Sequence, residues 1–383
     1  MKKLGSFSFK RRGLALMVTL AVVLVLTVYM TEYFFAAGLE LRAMQSYQES
    51  QRGRSLAASG FKALTMAMMM DEREFWPLYQ KMSQGMGLVA FPLGNGYLTA
   101  LEVIPQDGYY NLNRFATVRG GTPQNIALWN LFRNELAEIN IPPKEKGNEA
   151  VPLPEQTIAD LFSAMNDWID PDGLDYTGAG FGQGAEDSVY LLTAPEYRTR
   201  NAPLDRLEEI RLVRGFAESR LPWKEVQSRF TLVERSELTG NLYPGVICVN
   251  TASRDEIAHF LKMREMDSAS TNALGGGFGA IQEEINRYAR KADDIAEALA
   301  GNLEDPPEGF KGYDFSALDT ELIRLGLNPG VTRQLFSVWN EYYRIRMRVE
   351  VNRVGVEVRA LVRIPRSQTR VGSAVEVLEY QAR

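Results

Sequence analysis

The chain has 383 residues, 43 Lys and Arg against 48 Asp and Glu, a formal net charge of −5, one His and one Cys. The acidic balance argues against a dedicated nucleic-acid binder, which carries a basic footprint. A single Cys rules out an internal disulfide and a Cys-rich zinc site, and a single His rules out any centre built on two imidazoles.

Residues 1–13 carry Lys2, Lys3, Lys10, Arg11 and Arg12 and no acid, and Leu14–Met30 then runs LALMVTLAVVLVLTVYM without a charge. As a helix that run spans about 25 Å, close to the roughly 30 Å hydrocarbon core of a bilayer. Tyr29 and Tyr33 are placed as interfacial aromatics, and the cations ahead of the run put the N-terminus in the cytoplasm. Three readings fit this start. One is a secretory signal peptide with a small-residue cleavage region at Ala36-Ala37-Gly38. Another is a plain single-pass anchor. The third is a prepilin-type leader ending in Lys10-Arg11-Arg12-Gly13, cut before Leu14, so that Leu14 opens the mature chain and Val18 is its fifth residue. This third pattern resembles the type IV pilin and pseudopilin superfamily, most of whose members carry Glu where Val18 stands. A carboxylate in an apolar helix bundle is costly without a partner. A subunit with nothing ahead of it in a filament is better served by an apolar residue.

The helix is expected to run on from Leu14 to about Asp71, some 85 Å. Ala43–Met70 holds no Pro and only two glycines, Gly53 and Gly60, and Leu56, Phe61, Leu64 and Met68 recur at roughly helical spacing. The Met66–Met70 cluster is expected to be core packing. Residues 98–105 read as a strand, Asp107-Gly108 as a turn and Tyr109–Phe115 as a second strand. Thr122-Pro123 opens a helix over Asn125–Ile139. Pro154–Trp168, Pro203–Val213 and Ile281–Leu299 also read as helices. Ser253 and Glu256 form a capping box before Asp255–Arg264. The tract Leu274–Gly279 is a glycine-rich loop without the Lys-Ser/Thr of a phosphate loop. Near the end, Tyr343, Ile345, Met347, Val349 and Val351 alternate with Arg344, Arg346, Arg348 and Glu350, the signature of a half-buried antiparallel strand. Val354–Ile364 and Val375–Tyr380 are two more strands.

The fold class that follows is α+β: a long N-terminal transmembrane and spine helix, a small antiparallel pilin-like sheet and a large inserted helical domain. The expected divisions are a leader at 1–13, the spine at 14–71, a first α/β segment at 72–117, the insertion at 118–335 and completing strands at 336–383.

The most concentrated polar stretch is Asn166-Asp167-Trp168-Ile169-Asp170-Pro171-Asp172-Gly173-Leu174-Asp175, followed by Gly184-Ala185-Glu186-Asp187. Crowded aspartates repel one another unless they are solvated or bridged by a cation. Hard oxygen donors with no His or Cys nearby favour calcium, although the spacing is not that of an EF-hand. A solvated loop built on Asx-turns is the plain alternative.

The segments Asp167–Gly173, Gly184–Tyr190, Tyr197–Phe216 and Val246–Ser253, with Tyr109-Tyr110-Asn111-Leu112-Asn113 upstream, resemble in this order the K-type minor pseudopilins of type II secretion. The basic leader and the C-terminal strands fit as well, and that family typically lacks the pilin Glu. The resemblance implies a structural subunit, not an enzyme. Prepilin peptidase would cut between Gly13 and Leu14, with methylation of the new N-terminus. The chain would be held in the inner membrane by one span, with its globular part in the periplasm. There it would cap the pseudopilus with I-type and J-type minor pseudopilins, above the major pseudopilin and within reach of secreted cargo or the secretin. The family's calcium association points to Asp170, Asp172, Asp175, Glu186 and Asp187.

Two other functions compete. Val249–Ser253 before a helix also resembles the helix-hairpin-helix units of DNA receptors, which grip phosphates through a hairpin that this chain lacks. A minor pilin of a related type IV pilus has the same overall plan. For a hydrolase, His259 is the one available imidazole, and a structural role suits it better.

Overall fold

The computed structural model describes residues 8–70, 72–86, 91–117, 123–142, 150–171, 173–174, 183–193, 195–233, 246–272, 279–304, 310–352, 354–365 and 375–382. It opens with one unbroken helix, α1 (Ser8–Met68). In its apolar part the hydroxyls of Thr27 and Thr31 donate back to the carbonyls of Val23 and Thr27, at 2.8 and 2.7 Å. Thr19 donates likewise to the Leu16 carbonyl at 2.9 Å, so these hydroxyls are satisfied within the helix, as a water-free medium requires.

Helix α2 (Glu72–Met86) and strands β1 (Phe91–Leu93), β2 (Gly96–Pro105) and β3 (Tyr110–Asn111) follow. Next come α3 (Pro123–Ala137), β4 (Asn140–Ile141), β5 (Val151–Pro152), α4 (Glu155–Ile169), α5 (Asp187–Tyr190), α6 (Phe216–Ser219) and α7 (Trp223–Arg229). The chain continues through β6 (Phe230–Thr231), β7 (Ile247–Cys248), α8 (Arg254–Asn272), α9 (Gly279–Arg290), α10 (Ala292–Glu304), α11 (Phe315–Arg324), α12 (Thr332–Leu335) and β8 (Phe336–Ser337). It ends in three long strands, β9 (Tyr342–Val351), β10 (Val354–Arg363) and β11 (Glu376–Ala382).

The main sheet is antiparallel in the order β1-β2-β9-β10-β11. β2 lies beside β9 although residues 106–341 separate them, so the helical body grows out of one strand end and returns to its neighbour. Its neck is a pair of hydrogen bonds: the Gln106 amide donates to the Tyr342 carbonyl at 2.9 Å, and the Glu341 amide donates to Asp107 Oδ2 at 2.7 Å.

Two apolar cores result. One lies between α1, α2 and the inner face of the sheet: Ala57, Phe61, Met68, Phe75, Val103 and the inward residues of β9 and β10. The alternation expected for β9 and β10 holds residue by residue, with Tyr343, Ile345, Met347, Val349, Val351, Val356, Val358, Ala360, Val362 and Ile364 all buried. The lower half of α1 approaches closely because Gly53 faces β10. A Cβ there would stand 2.8 Å from Val356 Cγ2. The second core fills the helical body, around Tyr110, Phe115, Phe132, Phe162 and Phe230. Their rings meet at centroid separations of 5.2 to 6.5 Å, the range of favourable aromatic pairs.

Four local expectations are corrected. The strand expected over Tyr109–Phe115 is only Tyr110–Asn111, followed by a 3-10 turn over Leu112–Thr117. Asn111 Oδ1 accepts the Asn113 amide at 3.0 Å, an Asx-turn that ends the strand. The helix expected over Pro203–Val213 is a short 3-10 turn, Leu207–Leu212. The Leu204 amide is taken by Asn113 Oδ1 at 2.7 Å, away from any helical ladder. The segment Ile281–Leu299 divides into α9 and α10 at Lys291, whose ammonium donates to the Leu325 carbonyl at 2.7 Å. Of the methionine cluster, Met68 is buried, while Met66 and Met70 are exposed. The capping box forms as read, with Ser253 and Glu256 bonded in both directions. Of the expected glycine-rich loop, residues 274–278 lie outside the described residues.

Candidate functional site

Two regions carry the functional argument, the upper half of α1 and the acidic stretch. Gly13 and Leu14 lie within the helical backbone of α1. From Leu16 on, the apolar side chains have no protein neighbours to cover them. Val18, Leu20, Val25 and Phe34 are all more than half exposed, and a membrane-length apolar window is entirely unburied. That face needs lipid or other helices. Below it the same helix turns amphipathic, with Gly53, Ala57, Phe61 and Met68 on the sheet. One rigid element thus joins an uncovered apolar rod to a globular head.

In the acidic stretch, α4 delivers Asp167 into the core, where it is fully buried. Its Oδ2 accepts the Ala185 amide. Asp167 therefore ties the start of the acidic loop to its end and is part of the scaffold. Trp168 stacks edge-on against Tyr190 at 5.2 Å, and Tyr190 meets Tyr197 at 5.1 Å. The Asn201 amide donates to the Trp168 carbonyl at 3.0 Å, and Arg214 donates to the Gly184 carbonyl at 3.2 Å. Asp170 follows the C-terminus of α4, and Glu186 precedes α5 and is buried. Asp187 Oδ1 accepts both the amide and the hydroxyl of Thr199, at 2.9 and 2.7 Å. Those hydrogen bonds hold its carboxyl below the usual range. Asp170, Glu186 and Asp187 are hard oxygen donors of the kind calcium takes. Asp172 and Asp175 lie outside the described residues. Among the described residues no three His, Cys, Asp or Glu side chains come together as a metal-holding group.

The scaffold roles of Thr199, Asn201 and Arg214 were not readable in advance, because each closes the loop through a backbone group. The same holds for Asn250. Its Nδ2 donates to the Tyr313 and Val338 carbonyls and its Oδ1 accepts the Tyr313 amide, at 2.7 to 2.9 Å. In the segment that resembles a DNA-binding unit, this side chain is thus a buried tie from the turn after β7 to the segment ahead of α11 and the bend after β8.

His259 on α8 sits between two carboxylates of α3. Its Nε2 is 3.0 Å from Glu135 and its Nδ1 3.1 Å from Glu138, and Arg229 of α7 reaches the same pair at 3.4 and 3.1 Å. Burial opposes the charged ring, but the two carboxylates outweigh it and raise the His259 pKa to about 9. Glu138 is lowered to about 2, chiefly by its hydrogen bond to His259. An imidazolium with both nitrogens committed makes a poor general base at neutral pH.

Residues 108–222 match the family model for the type II secretion system (T2SS), protein K. The chain is 24% identical over 210 residues to the type II secretion system protein K of Pseudomonas aeruginosa, an alignment covering 53% of this chain. The match spans 57% of that relative's length. In fold, the chain is similar to a chain in the crystal structure of the GspK-GspI-GspJ complex from the enterotoxigenic Escherichia coli type 2 secretion system. The TM-score is 0.51 with 18% identity, covering 89% of this chain and 99% of that one.

Proposed function

We propose that the chain belongs to the type II secretion system protein K family and is the minor pseudopilin that caps the periplasmic pseudopilus. The observation that carries this reading is α1: an uncovered apolar rod continuous with a helix packed on a small antiparallel sheet, which bears a large helical body. The apolar half holds the subunit in the inner membrane before assembly and packs among neighbouring helices afterwards. Prepilin peptidase cuts between Gly13 and Leu14, and the new N-terminus is methylated. Val18 offers no carboxylate to a subunit above, and the helical body inserted between β2 and β9 adds bulk at the top. Both features suit a terminal position, with the major pseudopilin below and secreted cargo or the secretin in reach.

The chain to which the fold is similar belongs to a crystallised GspK-GspI-GspJ complex, and we propose the K-type place in such a complex for this chain. The full-length protein, co-expressed with I-type and J-type minor pseudopilins, co-purifies with both in equal amounts. Recovery of the chain free of both would refute the reading. We further propose that Asp170, Asp172, Asp175, Glu186 and Asp187 supply the ligands of a calcium ion that rigidifies the acidic loop.

A further inference from the structure

A cleft of about 230 Å³ separates the outer face of the main sheet from the helical body. Its floor is β9 and β10, with Arg344, Arg346, Arg359 and Leu361, and its roof includes Glu208, Arg211 and Trp223. The alternation of β9 assigns Arg344 to a solvent face, but the helical body covers that face here. Arg344 is half-buried, and its Nη1 is shut off from solvent and donates to no acceptor among the described residues. Burial pulls its pKa below the usual guanidinium value, with Glu208 and Glu379 opposing.

Glu102 of β2 also lines the cleft and makes no ion pair among the described residues, while the remaining charges are engaged. Arg346 and Arg359 share Glu357 at 2.7 and 2.8 Å, and Glu208 stands 3.8 Å from Arg359. Asp205 pairs with Arg200, and Glu379 with Arg206 at 3.5 Å. Arg211 Cζ lies over the Trp223 ring, 4.2 Å from its centroid. Two guanidinium groups, those of Arg344 and Arg211, therefore face one cleft with no carboxylate partner of their own among the described residues. A buried guanidinium with an unmade hydrogen bond is destabilising, and an apolar side chain of similar size costs less. A planar fork of N–H donors beside apolar walls matches a carboxylate on a short aliphatic stem.

We propose that this cleft binds a carboxylate, seated on Arg344, borne either by an acidic side chain of a protein partner or by a free small acid. The site is independent of the pseudopilus reading and stands or falls without it. Its test uses the full-length chain in detergent and follows the thermal midpoint against added ligand at constant ionic strength. The probes are glutarate, the blocked tripeptide N-acetyl-Ala-Glu-Ala-amide and inorganic phosphate, on wild type, Arg344→Met and Arg344→Lys.

Both carboxylates raise the wild-type midpoint, and phosphate raises it far less. Arg344→Met by itself melts no lower than wild type, because the unmade hydrogen bond is gone. Its half-saturating carboxylate concentration rises by about tenfold or more, the loss of one charge-assisted bidentate contact. Arg344→Lys keeps the charge without the fork and falls between the two. Half-saturation by the tripeptide at lower concentration than glutarate assigns the site to a protein partner, and the reverse order assigns it to a free acid. Equal protection of wild type and Arg344→Met, or phosphate protecting as well as the carboxylates, overturns the proposal. So does the absence of any carboxylate effect on the wild type.

Discussion

Replacing His259 by Gln removes the only imidazole of the chain from between Glu135 and Glu138. Its side chain is 23% exposed and that of Glu135 only 3%, so solvent screens the pair weakly. The folded pKa of about 9 lies above the ordinary 6.5. The stabilisation is therefore fully present below pH 6.5 and is lost as the pH rises through about 9. At roughly 1.4 kcal/mol per unit, the difference is worth about 3 kcal/mol at pH 6. The lowered pKa of Glu138 expresses the same contact from the other side and is not added to it. Denaturant unfolding of wild type and His259→Gln at pH 6 and pH 9.5 measures the effect. The gap in unfolding free energy is about 3 kcal/mol at pH 6 and shrinks to below about 1 kcal/mol at pH 9.5. A gap equal at both pH values would refute the reasoning, as would an imidazole resonance that titrates near 6.5.

Two further outcomes follow from the packing and from the acidic loop. Gly96→Ala would place a Cβ 2.7 Å from the Glu350 carbonyl, a backbone atom that cannot swing aside. The variant loses about 1–3 kcal/mol in denaturant unfolding, and an unchanged midpoint would contradict the close β2–β9 approach. If calcium bridges the acidic loop, a chelator lowers the thermal midpoint of wild type and has little effect on Asp170→Asn. A midpoint indifferent to chelator and to added calcium removes the ion from the account.

The parts of this fold that were legible in the sequence are those with a local period. Residues 343–364 alternate because one face meets the spine helix, and the run from Leu14 to Met70 reads as one helix because nothing in it breaks a helix. What could not be read was set by distant partners. Asp107 accepts the Glu341 amide across 234 residues, and no window of sequence contains that neck. Asn111 and Asn113 look like strand residues until their side chains are seen closing a turn and holding Leu204. Arg344 lies on the polar face of its strand by pattern, yet the helical body covers it. In the acidic stretch the sequence marks out one set of carboxylates. The structure gives Asp167 to the scaffold and commits Asp187 Oδ1 to Thr199, which spacing alone could not separate from the rest.

The central claim is that α1 is a processed pseudopilin spine, and the mass of the intact chain after co-expression with prepilin peptidase tests it most directly. A processed spine loses residues 1–13 and leaves a mature chain beginning at Leu14, carrying one added methyl group. An intact N-terminus, or a chain beginning after Ala37 or Gly38, would contradict it.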